Sequence, residues 1–313
     1  MIITINNRLR YTYEDTHIKF ITPILRKAFP DEQVFNNAYK NILSPFCFVL
    51  GSELKKKEPC KQVIIDCLSE IIDQKSEFII SDNYLLLEPI ETRGENLELV
   101  KSFDEERFFL LETLAGLRVK LMPEWAELIS IIKSISFVKI QGKEDLLFHF
   151  SGSDTYRWGA MHMYKNLNPL NIAECITHEA SHHWLNLYEL YCPTEFILNG
   201  WDDESFISPW RNDKRPLMGI FHGIYVFSNV FNVLNYLESQ SSTEESERLN
   251  RIGAQVKRGI EIMESHKSRL SKEAHEVFYK IKKTFLNVYE NTNNDLRLKH
   301  YDDILKEEHI KNK

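Results

Sequence analysis

Glycine and proline are scarce, at 11 and 10 in 313 residues. An all-β sandwich turns tightly and often, and needs more of both, so the scarcity argues against one. Cysteine is scarce too. The five present, Cys47, Cys60, Cys67, Cys175 and Cys192, are odd in number and form no C-x-x-C pair. So few in so long a chain do not make a disulfide scaffold, and a reducing cytosol suits them better. Positive charge is in deficit: 39 Lys and Arg face 46 Asp and Glu, a net charge of −7. No long basic stripe occurs, so nucleic acid is not an expected partner. No run reaches the roughly 18 consecutive apolar residues of a membrane span. The opening MIITINNRLRYTYED has no apolar stretch like that of a signal peptide. These absences predict a soluble, cytoplasmic protein without a membrane partner.

What is present points to a folded chain. Hydrophobic residues make up 43% and aromatics 12%, which excludes disorder over most of the length. The length suits one large domain or two ordinary ones. Helical spacing recurs at 55–73, 102–122 and 123–135, the last opened by a proline in its first turn. Strand-like runs occupy 76–90, 136–152 (joined by a Gly turn) and 154–164. A long helix is predicted over 168–191, with Asn168 as cap and Pro169 in first position. Residues 192–216 read as a loop rich in Trp, Asp and Pro. The segment 216–238 is apolar almost all round and reads as a buried helix. Two more helices follow, at 241–266, opened by a Ser242/Glu245 capping box, and at 271–292. A soft boundary near 136–140 separates a mainly helical region, 1–138, from a site-bearing region, 139–313.

The chemistry concentrates at His178-Glu179-Ala180-Ser181-His182, an H-E-x-x-H pattern in the middle of the long helix. Histidines four apart share a helix face one turn apart, so both imidazoles can reach one metal ion. Glu179 sits beside them, where it can touch a metal-bound water or orient a ligand. His183 points about 100° away and reads as a packing or surface residue. The fold expected around this motif is α+β, mostly helical, with a small sheet preceding a zincin-like HExxH helix.

The third ligand sets the class. The extended pattern HExxHxxGxxH fails, because Leu185 and Tyr188 stand at its Gly and His positions. An aspartate variant needs an acid at Tyr188, and the nearest, Glu189, is one position off. Glu195 lies in the loop and Glu238 at the far end of its helix. His222, in GIFHGIYVF, is the better candidate. A histidine on an apolar helix is commonly a hydrogen-bonded core residue. Beside an HExxH helix, and flanked by Gly219 and Gly223 for a close approach, it reads as the third metal ligand.

HEASHHW (178–184) followed by SPWRNDKRPLMGIFHGIYVF (208–227) is similar to the HExxH proteins of ribosomal-peptide gene clusters. That family is described as 2-oxoglutarate-dependent peptide β-hydroxylases. The resemblance spans about 150–240, includes Glu174 and Thr177 just before the motif, and does not extend to 1–140. It implies Fe(II) held by His178, His182 and His222, with Glu179 close by as an outer partner or conditional ligand. It implies 2-oxoglutarate as cosubstrate, its distal carboxylate paired with Arg215 or Arg211. Guanidinium and carboxylate match bidentately, which is the physical reason to expect arginine there. A three-His set departs from the usual two-His-one-carboxylate triad and is one negative charge short. The implied partner is a ribosomally made peptide. Trp158, Tyr164, Trp201 and Trp210 are candidates to line its pocket.

Two other readings stay open. One is a zinc metallopeptidase, with Glu179 as the base and the strand at 155–163 pairing with substrate as an edge. The other is a non-catalytic peptide-binding scaffold with a vestigial metal site. His149 and His162 carry no assignment.

Overall fold

A computed structural model describes residues 79–80, 97–99, 104–121, 123–132, 134–140, 151–153, 160–164, 168–192, 194–202, 206–211, 213–237 and 243–292. The helix expected at 55–73, the Ser242/Glu245 capping box, His149, Trp158 and Glu238 lie outside them. The described residues are mostly helical, with one small mixed sheet. The chain forms two compact units. Trp184 and most of what precedes it fall in one, and Leu185 onward, together with Leu121–Trp125, in the other. The units part within the HExxH helix.

In the unit holding the sheet, β1 (Ile79–Ile80) and β2 (Leu97–Leu99) both pair with β3 (Ser134–Ile140), one parallel and one antiparallel. On its other side β3 runs parallel to β5 (Ala160–Tyr164), which pairs antiparallel with β4 (Ser151–Ser153). So β5 is interior, and β4 is the edge among the described strands. This corrects the picture of 136–152 as neighbouring strands, and of 155–163 as an edge. Parallel β3 and β5 need a crossover between them, and β4 lies on that crossover and returns to the far side of β5.

Helix α1 (Asp104–Lys120) buries Leu110, Leu114 and Leu117, one stripe at helical spacing. Helix α2 (Pro123–Ile129) stops earlier than its apolar pattern suggests. Its end tightens through i→i−3 bonds, Ser130 N to Glu127 O at 3.2 Å and Ile132 N to Ile129 O at 2.9 Å. The Ser130 hydroxyl also donates to Glu127 O at 2.7 Å. The β-branched run beyond it then enters β3, where Ile135 and Val138 are fully buried.

The long helix α3 (Pro169–Tyr191) begins as expected. Asn171 N donates to Asn168 Oδ1 at 2.8 Å, a side-chain N-cap, and Pro169 occupies the first turn, where no N–H is needed.

In the other unit, a short ribbon of β6 (Phe206–Ile207) and β7 (Lys214–Arg215) interrupts the expected loop. Helix α4 (Leu217–Leu237) follows. By length and composition it could cross a membrane, but 83% of its most apolar window is buried inside the protein, as in a core helix. Helix α5 (Thr243–Ser265) and helix α6 (Lys272–Thr292) complete the described unit. Ser271 caps α6, its hydroxyl accepting from Ala274 N at 3.1 Å. Phe231 meets Phe285 edge-on at 5.2 Å, and Phe196 meets Phe221 in the same way.

Gly223 has a different use from the metal approach expected of it. A Cβ there would stand 2.3 Å from Trp210 Cζ3, and one at Gly259 would stand 2.7 Å from Cη2 of the same ring. The Trp210 indole fills a slot between α4 and α5 and stacks on Phe227 at 5.4 Å, nearly parallel. Gly219 faces Arg215 and Pro216 at ordinary contact distance. Gly223→Ala is therefore expected to overpack this slot and cost about 1–3 kcal/mol. Chemical-denaturation midpoints measure it. An unchanged midpoint would mean that Trp210 is not confined there.

Candidate metal centre

His178 and His182 lie one turn apart on α3, half-buried, with ring centroids 4.9 Å apart and edges meeting at 67°. The helix puts both on one face, as spacing predicts. Glu179 faces elsewhere and is 2% exposed. Its two oxygens accept one hydroxyl each, from Ser151 at 2.7 Å and from Ser153 at 2.5 Å. Side chains alternate along a strand, so the two serines share one face of β4 and Gly152 between them faces the other.

On that opposite face lies His162, directly across from Gly152 in the ladder. Its ring covers the glycine so closely that a Cβ would be 2.4 Å from Nε2. His162 is thus a buried residue of the sheet face turned away from Glu179. Met161 and Met163, on the Glu179 side, are both buried. His183 is fully buried and packs, as its helical angle predicts. Hydroxyl back-bonds run along α3, Thr177 to Ala173 O at 2.6 Å and Ser181 to Thr177 O at 2.7 Å.

His222 belongs to the other compact unit and is 7% exposed on α4. Its Nε2 is 3.6 Å from Glu189 Oε2. The other oxygen of Glu189 accepts a short hydrogen bond from Trp201 Nε1, and the Trp201 ring stands 5.7 Å from that of His222. Glu189 is the residue whose role the sequence left unassigned. It misses the ligand position of the aspartate pattern by one, but helical spacing puts it on the same stripe of α3 as His178 and His182, two turns beyond the second. That stripe was the available signal. Glu195 caps a turn, its carboxylate accepting from Asn199 N at 2.8 Å. The turn is further held by Arg269, which donates to the carbonyls of Leu198 and Asn199.

Among the described residues, no group of three or more His, Cys, Asp or Glu side chains is gathered to hold a metal ion. His178 and His182 are the two donors brought together, and two imidazoles on one face suit a transition metal in type and spacing.

Arg215, on β7, donates from Nη2 to Asp213 Oδ2 at 2.7 Å across the surface. Arg211 is exposed. Of the other pocket candidates, Trp201 is 53% exposed beside His222, Tyr164 is half-buried on β5, and Trp210 serves packing. No protein-family model matches the chain, and no curated protein matches it either.

The Arg215 hydrogen bond holds the Asp213 carboxyl below its ordinary value of 3.8. A carboxylate lowered on folding contributes stability that is full above its unfolded pKa and is lost as pH falls through the folded one. Asp213→Asn should therefore remove a small acid-side slope. Urea midpoints of the two proteins should differ above pH 4 and converge as pH falls through the lowered folded pKa. Parallel curves throughout would mean that the pair is not formed in solution.

Proposed function

We propose that the chain is a metal-dependent enzyme of the Fe(II)/2-oxoglutarate class that hydroxylates a side-chain β-carbon of a ribosomally made peptide. The supporting observation is the His178–His182 pair, two imidazoles on one helix face with their rings in contact. His222 is the proposed third donor, and the resemblance of the HEASHHW and SPWRNDKRP blocks supports the choice of iron over zinc. The expected surroundings are zincin-like, a sheet strand beside the HExxH helix, and the Glu179 contacts with β4 are consistent with that.

When bound, Fe(II) and 2-oxoglutarate supply oxidative decarboxylation of the oxo acid coupled to hydroxylation of a C–H bond. The residues of the chain bind and orient. His178 and His182 present two neutral nitrogen donors. Arg215 or Arg211 takes the distal carboxylate of the oxo acid. For Arg215 this means sharing its guanidinium with Asp213 or leaving it. A peptide substrate is the proposed partner, and the cytoplasm the proposed compartment.

A zinc metallopeptidase remains the second reading. It needs Glu179 to collect a proton from a metal-bound water. Against it, both Glu179 oxygens already accept hydroxyl donors from β4.

Anaerobic addition of Fe(II) and then 2-oxoglutarate should give a weak visible charge-transfer band. His178→Ala and His182→Ala should abolish it, and His222→Ala should abolish metal retention. Arg215→Ala should raise the 2-oxoglutarate Kd at least ten-fold if that arginine holds the distal carboxylate. Tight zinc binding with peptide cleavage and no such band would replace this reading with the peptidase.

A further inference from the structure

We propose that Ser151 and Ser153 are positioning residues of the metal centre. In this role they hold the buried Glu179 side chain against β4, which fixes the rotation of α3 and with it the His178–His182 face. The inference rests on the metal-centre reading above and deepens it. It is carried by one juxtaposition: a carboxylate 2% exposed, with one serine hydroxyl on each oxygen, next in sequence to His178 and one turn before His182.

Three features make this more than a chance contact. First, burying a carboxyl group is costly unless hydrogen bonds offset it. The serines supply one hydrogen bond to each oxygen. Second, β4 has only three residues, and both on the helix-facing side are serines aimed at the same group. Third, the residue between them is Gly152, on whose open face the His162 ring lies. That close packing fixes the strand against β5, and with it the positions of both hydroxyls.

The geometry also bears on the class of reaction. A carboxylate that must swing to collect a proton and then deliver it needs freedom. One held by a donor on each oxygen is suited to stay still. Groups that fix the orientation of metal ligands typically alter metal affinity by 10–100-fold.

The test is Co(II) titration of the full chain, followed by visible absorption and calorimetry. Ser151→Ala/Ser153→Ala should weaken Co(II) binding about ten-fold and alter the ligand-field bands. Ser151→Thr/Ser153→Thr, which keeps both hydroxyls, should restore affinity to within about three-fold of the original. A purely structural role for the serines would show in the melting temperature and leave the bands of the bound metal alone. Should the double alanine variant not fold, the two single variants take its place, each with an expected loss of several-fold. Unchanged affinity and bands in folded alanine variants would overturn the proposal. His178→Ala separates the two levels of the argument. If it leaves Co(II) binding intact, the metal-centre reading itself fails. If it abolishes binding while the serine variants are silent, only the clamp fails.

Discussion

A carboxylate out of water sets the strictest constraint in the described structure. Glu179 is buried against a sheet face that also carries Met161 and Met163, and its two oxygens need hydrogen-bond donors there. Ser151 and Ser153 supply them. That requirement fixes much around it. Two hydroxyls on one carboxylate set how α3 is rotated over β4. The rotation in turn turns the His178–His182 face away from the strand, since those residues stand roughly 60–100° round the helix from Glu179. The serines need β4 in register with β5, and the register depends on Gly152 letting His162 lie against it.

The other unit follows a different logic, that of close packing. Trp210 occupies a slot that only glycine at 223 and 259 leaves open, and its ring stacks on Phe227. The slot lies immediately after His222 on α4, so the helix that presents the imidazole is anchored one residue away by a large aromatic wedge. On the other side of His222 stand Glu189 and Trp201. Arg269 and the bonds of the 197–200 turn hold the segment that carries Trp201. The polar contact and the packed slot together restrict both the ring and its backbone.

Much of this was legible in the sequence where local chemistry decides. Asn168 before Pro169 marks the start of α3 because capping and a missing N–H act within one turn. The i, i+4 histidines had to share a face once the helix was granted. The nearly uniform apolar character of α4 announced its burial. The remainder depended on partners distant in sequence. Nothing local says that β5 lies between β3 and β4, because strand order is set by pairing across a crossover. Gly223 looked like room for a metal because the sequence does not reveal that an indole thirteen residues earlier fills the space. Glu189 was set aside for missing a known spacing by one residue. Its pairing with His222 depends on how α4 returns after a long connection.

The placement of anions bears directly on the proposed chemistry. Three neutral imidazoles would leave a divalent metal without the negative charge that a carboxylate ligand ordinarily provides. The described structure has acids beside histidines within each unit: Glu179 adjoins His178 and His182 along α3, and Glu189 stands 3.6 Å from His222. Each is itself held by a neutral donor, serine hydroxyls in one case and an indole N–H in the other. Of the two, Glu189 stands beside an imidazole, where it can set the orientation of the His222 ring without occupying a coordination position. In the proposed oxygenase, carboxylates kept outside the ligand set would leave the metal's other positions free. Moving negative charge from the ligand set to a rigid outer layer would meet both demands. It would also make Ser151 and Ser153 consequential for the His178–His182 face, and Trp201 for His222.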